Sequence, residues 1–208
     1  MPTKKTPGSK TAEPKATKST RAGKKTLGTA TQPVVKRATS SASAERLPPA
    51  SKERLEVGAA LPAFELADQT GAKQTHKSFS GKPLLLYFYP KDDTPGCTRE
   101  ACGFRDALGT LGESGIRVVG VSPDSAARHE KFAEKYELLF TLLADETRSL
   151  AVACGVWVEK TNYGKTSLGV ERSTFLFDKS GKLRRAWRKV KVDGHVDAIL
   201  EALSDLKL

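Results

Sequence analysis

The sequence predicts an α/β fold: a central mixed sheet covered by helices on both faces, preceded by a disordered basic tail. Three observations carry the prediction. Short apolar runs, Leu84 to Tyr89 and Ile116 to Val121, alternate with segments of helical pattern. The turn Asp178-Lys179-Ser180-Gly181-Lys182 lies between two strand-like segments and signals a closing hairpin. The first 54 residues contain no aromatic side chain, the earliest being Phe64.

The tail and the domain separate by charge. The chain has 208 residues and a net charge of +11. Residues 1–54 hold 13 Lys and Arg against 3 acids, a net of +10, so residues 55–208 carry the remaining +1. A Lys, Thr, Ala, Ser and Pro tail cannot bury enough apolar surface to offset the entropy of ordering it. Residues 55–208 are long enough for a real core.

Each element has a local reason. Val57-Gly58-Ala59-Ala60-Leu61-Pro62 enters the domain. Phe64 to Leu66 is a short strand, paired with Thr75 to Ser78 across the turn Asp68-Gln69-Thr70-Gly71. Leu84 to Tyr89, apolar throughout and bounded by Pro83 and Pro90, is a central strand. A helix runs from about Pro95 to Leu111 and stops at Gly112. Ile116 to Val121 is a second buried strand. Asp124 caps a helix through Tyr136, and Phe140 to Leu143 is a third strand. Thr147 to Cys154 is a short helix. Ser173 to Phe177 and Leu183 to Arg188 form the hairpin, and His195 to Leu206 is the last helix.

Chemistry concentrates where the central strand meets the first long helix. Thr94 suits the N-cap, and Pro95 suits the first helical position because it has no N–H to leave unpaired. Cys97 is then the third helical residue, among unsatisfied N–H groups at the positive end of the helix dipole. That setting favours thiolate over thiol, the form that attacks a peroxide oxygen or a disulfide sulfur. Gly96 lets a substrate approach the backbone. The competing reading is that Cys97 and Cys102 are small core residues, since free cysteine is often buried and inert.

Cys102 follows five residues later, which puts the two Cα atoms roughly 8.6 Å apart on an intact helix. A disulfide needs roughly 4.4–6.8 Å. The two cannot bond unless the first turns unwind. Gly96 and Gly103 lower that cost by about 1 kcal/mol each relative to alanine. A redox-linked local unfolding of about residues 95–104 is expected.

Other chemistries fit poorly. A thiol-disulfide oxidoreductase usually carries Cys-x-x-Cys, which does not occur here. Cys97, Cys102 and Cys154 are wrongly spaced for zinc, and His76, His129 and His195 are scattered, which places them at the surface. No phosphate loop or Ser-His-Asp pattern stands in the right context. No cofactor is called for. No apolar run reaches the ~20 residues of a membrane helix. The charged N-terminus lacks the apolar stretch of a secretory signal. Three cysteines fit a reducing compartment, hence the cytoplasm.

The stretch Phe88-Tyr89-Pro90-Lys91-x-x-Thr94-Pro95-Gly96-Cys97-Thr98-x-x-Ala101-Cys102-Gly103-Phe104-Arg105-Asp106 resembles the peroxiredoxins of the bacterioferritin-comigratory-protein (PrxQ) class. The likeness continues in Phe140-Thr141-Leu142-Leu143-Ala144-Asp145, in Tyr163-Gly164-Lys165-Thr166 and in Arg172-Ser173-Thr174-Phe175-Leu176, and covers residues 55–208. It implies a thioredoxin-like fold and reduction of hydrogen peroxide and organic hydroperoxides. By that resemblance Cys97 is the peroxidatic cysteine, and Cys102 the resolving one in an intramolecular Cys97–Cys102 disulfide. Thioredoxin is the reductant. Thr94 and Arg172 complete the peroxide site, and Pro90 shields it. The resemblance also implies a monomer.

Two departures remain. Cys154 stands where the family more often has an aromatic or other apolar residue. It is read as a core cysteine, the other reading being an auxiliary resolver or a dimer contact. The tail is the second. Three readings of it compete: a solubilising arm, a transit peptide, and a non-specific DNA-binding arm that associates the protein with nucleoid or nucleus. Nine Lys against four Arg, with Glu13, Glu45 and Glu53, rank the transit peptide last. DNA binding through counterion release needs only clustered charge. A basic DNA-binding protein with an inert domain is the rival function; it predicts DNA binding without peroxide turnover.

Overall fold

Leu84 to Phe88 is the strand around which the molecule is built, because both faces of it are buried. The computed structural model describes residues 47–162, 164–204 and 206. Most of the expected tail, residues 1–46, lies outside the described residues.

The elements follow in the order β1 (Glu65–Asp68), β2 (Lys73–Thr75), a 3-10 turn (His76–Phe79), β3 (Leu84–Phe88), α1 (Pro95–Asp106), α2 (Leu108–Glu113) and β4 (Arg117–Ser122). Then come α3 (Ala126–Tyr136), β5 (Thr141–Ala144), α4 (Ser149–Ala153), β6 (Trp157–Asn162), β7 (Lys165–Val170), β8 (Ser173–Phe177), β9 (Leu183–Trp187) and α5 (His195–Leu203). Seven strands form one sheet in the order β2-β1-β5-β4-β3-β8-β9, with β6 and β7 in a separate ribbon. β3, β4 and β5 are parallel, while β1, β8 and β9 pair antiparallel to their neighbours. This is the mixed, thioredoxin-like sheet with helices on both faces that the sequence predicts.

The two-residue period of a strand sorts β3 between two cores. Leu84, Leu86 and Phe88 pack with Val119, Val121, Phe175 and Phe177 on the face that also holds Leu150, Cys154 and Trp157. Leu85, Tyr87 and Tyr89 face the other way, onto Cys97, Ala101 and Phe104 of α1, Phe132 of α3 and Ile199 of α5. Full burial of each such side chain stabilises the fold by about 1.5–3 kcal/mol. Gly120 in β4 makes the second face possible. A Cβ there would stand 2.8 Å from both the Tyr87 ring and Leu142.

Several local expectations shift. The helix after β3 ends at Asp106 and resumes at Leu108, because Ala107 flattens to ψ 0° and its N–H bonds both Gly103 and Arg105 carbonyls. Asp124 does not cap α3. Ser125 holds the N-cap position, and Asp124 instead accepts from the Asp92 N–H and the Ser122 hydroxyl. Thr75 ends β2, and the next four residues coil into the 3-10 turn that buries Phe79. The β6–β7 ribbon was not anticipated. Its middle positions, Glu159 to Asn162 and Lys165 to Ser167, are polar, so the strands show no apolar alternation to read.

Residues 47–54, part of the tail by composition, run along the domain. Ser51 N–H donates to Trp157 O at 2.7 Å, and the Trp157 indole N–H donates to Pro48 O at 3.0 Å. Gly155, at φ +70°, accommodates them: a Cβ there would lie 2.4 Å from Glu53 O. Two histidines expected at the surface are buried, His129 and His195, and His76 is half-buried. No helix among the described residues is long and apolar enough to cross a membrane.

Candidate active site

The site forms at the carboxyl ends of the parallel strands, where α/β sheets place their ligands. β3 delivers the chain to Tyr89, whose N–H bonds Val121 O at 3.1 Å. Pro90 is exposed at the rim. Thr94 is extended at φ −97°, ψ 148°, and its carbonyl accepts from Thr98 N–H at 2.8 Å, the first bond of α1. Thr94 therefore holds the N-cap position, but its hydroxyl does not cap. It donates to Lys91 O at 3.1 Å, back into the loop. The first amides of α1 thus keep their donors clear of a side-chain cap.

Cys97, in the first turn of α1, is 2 % exposed. Arg172 arrives from the β7–β8 connection, 75 residues away, and its Nη2 donates to Cys97 Sγ at 3.2 Å. Val190 N–H to Arg172 O, 3.0 Å, holds the arginine backbone. A Cβ at Gly96 would stand 3.5 Å from Nη2, an ordinary contact, so the guanidinium packs directly over the first turn of α1. A sulfur facing a guanidinium and the amino end of a helix is set for anionic chemistry.

Residues 57–186, which include both Cys97 and Arg172, match the AhpC/TSA family. The chain belongs to that family. Within it the chain is a peroxiredoxin of the bacterioferritin-comigratory-protein class. It is 49 % identical over 152 residues to Peroxiredoxin Bcp of Bacillus subtilis, covering 73 % of this chain and 97 % of that one. Identity to Peroxiredoxin Bcp of Escherichia coli K12 is 42 % over 151 residues, again 73 % and 97 % of the two chains. The solved structure of Xanthomonas campestris bacterioferritin comigratory protein, studied for alkyl peroxide reduction in trapped intermediate and ligand complexes, superposes with a TM-score of 0.68. It is 43 % identical, covering 73 % of this chain and 96 % of that one.

In this peroxiredoxin the second nitrogen of Arg172, Nη1, donates to Glu100 Oε2. Glu100 is 2 % exposed, and its other oxygen has no partner. Burial pushes the Glu100 carboxyl up to about 7, against the pull of Arg172. The desolvation of the carboxylate outweighs the attraction of its own ion pair. Sequence reading missed Glu100, although its spacing of three from Cys97 puts both on one helix face. Behind Arg172, His195 Nε2 and the Thr174 hydroxyl meet at 2.7 Å, and burial, aided by Arg172, lowers this imidazole to about 4.

Cys102 is half-buried on the same unbroken α1, and all three cysteines are free. Cys154 is wholly buried among Leu150, Val156 and Phe175, on the opposite face of the sheet from Cys97. Burial pushes its thiol well above the usual range. It lies in the core, apart from the chemistry. An open groove of about 420 Å³ runs beside Arg172, lined also by Val158, Lys160, Glu171, Lys189 and Val190. Lys160 was not anticipated either; burial draws its ammonium down.

Proposed function

We propose that the protein reduces hydrogen peroxide and organic hydroperoxides through Cys97, with Cys102 resolving and thioredoxin recycling. The observation that carries this reading is the Arg172 guanidinium 3.2 Å from Cys97 Sγ at the start of α1. The Cys97 thiolate attacks one peroxide oxygen and the O–O bond breaks. The distal oxygen leaves as water or alcohol after taking a proton, and Cys97 becomes a sulfenic acid. Arg172 orients the peroxide oxygens and holds the charge that moves onto the leaving oxygen. The Thr94 hydroxyl, whose proton goes to Lys91 O, keeps acceptor lone pairs for a peroxide O–H, and Pro90 shields the sulfur from bulk water. Cys102 then displaces hydroxide from the sulfenic sulfur, releasing water and forming the Cys97–Cys102 disulfide. α1 runs through both cysteines, so this step unwinds about residues 95–104, eased by Gly96 and Gly103. A thioredoxin dithiol exchanges with the disulfide and restores both thiols.

The test is NADPH-coupled peroxide consumption with thioredoxin and its reductase, followed by peptide mass analysis of the oxidised enzyme. Turnover with a Cys97–Cys102 bridge is expected, and Cys102→Ser should stop recycling while leaving one peroxide consumed per chain. An enzyme that turns over normally without Cys102 would remove its resolving role. A wild type inert to peroxide would favour a basic DNA-binding protein with an inactive domain.

The tail supports a second element of the reading, since residues 1–46, ahead of the segment that runs along the domain, hold 11 Lys and Arg against 2 acids, a net of +9. We take it as a basic arm that holds a cytoplasmic, monomeric enzyme on DNA without sequence preference. Retention of the full chain on DNA at low salt, lost at moderate salt and missing in a chain beginning at residue 47, is the expected result. Equal behaviour of the two chains would dismiss it.

A further inference from the structure

Immediately before Thr94, the loop is tied to the body of the protein by a buried polar chain that includes neither Cys97 nor Arg172. The Tyr89 hydroxyl donates to Asp92 Oδ1 at 2.7 Å. Asp92 Oδ2 lies 2.8 Å from His129 Nδ1, and His129 Nε2 lies 3.1 Å from Leu143 O. All three side chains are at least 97 % buried. A carbonyl can only accept, so Nε2 carries a hydrogen and donates to Leu143. The bond between Nδ1 and Oδ2 then contains one proton, whichever atom holds it. Every polar atom of the imidazole and the carboxylate is satisfied, which is what makes such a chain rigid rather than costly.

The chain spans three elements. Tyr89 leaves β3, His129 sits on α3, and Leu143 belongs to β5. The loop is held at the next bond as well: Asp92 N–H donates to Asp124 Oδ2 at 2.7 Å. Asp93 takes a left-handed backbone, φ +57°, unusual for a residue with a side chain. Its carboxylate accepts from Lys135 Nζ at 2.8 Å and from the Tyr136 hydroxyl at 2.6 Å, both at the end of α3. Strained backbone at a functional loop persists only where the surroundings over-determine it.

We infer that the buried Tyr89–Asp92–His129 chain positions the loop that carries Thr94 and leads into Cys97, and that His129 is a positioning residue for peroxide reduction. The inference rests on the reading of Cys97 as peroxidatic. α3 and β5 stand outside the segment that unwinds, so the chain keeps the front of the loop in place while α1 opens and re-forms behind it.

The experiment compares two probes of Cys97 in the full chain: oxidation by hydrogen peroxide and alkylation by iodoacetamide. Peroxide reduction needs Thr94, Arg172 and the sulfur in register, whereas alkylation needs only a reachable thiolate. His129→Gln cannot bridge Asp92 and Leu143 as a rigid ring does. It is expected to slow peroxide oxidation by ~10- to 100-fold, as misplacement by about an ångström does, and alkylation by no more than a few fold. Asp92→Asn can accept from Tyr89 and donate to Nδ1 of a neutral His129, so it should retain most of the wild-type rate. Peroxide oxidation within about twofold of wild type in His129→Gln, or equal losses with both probes, would overturn the inference. A large selective loss in Asp92→Asn would also overturn it, since charge rather than position would then be at work. If His129→Gln does not fold, Tyr89→Phe, which deletes one hydroxyl, decides by the same ratio. A selective loss of a few fold supports the inference and an unchanged ratio overturns it. A wild type in which peroxide does not oxidise Cys97 would sink the peroxidatic reading instead, a result separable from all of these.

Discussion

Peroxide turnover is expected to disappear in Cys97→Ser and to fall by about 10²- to 10³-fold in Arg172→Ala, the usual cost of removing one donor from a developing anion. Serine offers no thiolate at neutral pH and cannot reach the sulfenic state, so no residual cycle remains. The arginine effect has two separable parts. Its Nη2 donates to Cys97 Sγ at 3.2 Å, and its Nη1 to the carboxylate of Glu100. Removing the guanidinium strips the sulfur of its donor and leaves Glu100 buried without a counter-charge. Breaking a buried pair from one side costs about 3–5 kcal/mol of stability. Arg172→Lys should fall between, because one ammonium on a flexible stem cannot reproduce the planar fork that serves both partners. Stopped-flow oxidation of Cys97 alongside urea unfolding measures both parts. An Arg172→Ala protein that reacts with peroxide within threefold of wild type would discard the proposed role of this contact.

Between pH 5 and pH 8 the wild type is expected to lose about 2.5 kcal/mol of stability that Glu100→Gln keeps. The sign follows from the direction of the shift. The folded carboxyl is raised to about 7 from an ordinary value of 4.5, so the folded state holds this proton more tightly than the unfolded chain does. The associated stability is fully present below pH 4.5 and is lost as pH rises through about 7. A glutamine keeps an acceptor for Arg172 and has no proton to lose. His195 works in the opposite direction. Its folded value near 4 lies below the ordinary 6.5, so its contribution is present above 6.5 and lost as pH falls through 4. That term is common to both proteins and cancels in their difference. Urea titrations at the two pH values give the comparison, and an equal difference at both would remove Glu100 as a titrating group of the fold.

Legibility followed sequence distance. β3 was readable because Leu84 to Phe88 is apolar on every residue, and the β8–β9 hairpin because its turn is spelled out between two strands. The start of α1 was readable because Thr94 and Pro95 announce it. What the threonine hydroxyl does was not: the N-cap position is a backbone property, whereas its bond to Lys91 O depends on a loop held from α3. The β6–β7 ribbon escaped notice because a two-stranded ribbon of mostly polar residues carries no apolar alternation. His129 and His195 were placed at the surface because polar side chains usually lie there. Asp92 and Thr174, 37 and 21 residues from them, supply the partners that make burial tolerable.

By itself the sequence determined the α/β class, the position of Cys97 in the first turn of a helix, and the family resemblance of residues 55–208. These are local matters of apolar runs, capping residues and short spacings. Only the tertiary structure decided what surrounds the sulfur. Arg172 reaches Cys97 across 75 residues, Glu100 loses its water beneath that arginine, and His129 closes on Asp92 behind the loop. Such contacts depend on how the crossovers through α1 and α3 stack on one sheet, and no local pattern along the chain encodes the dielectric in which a charge will finally sit.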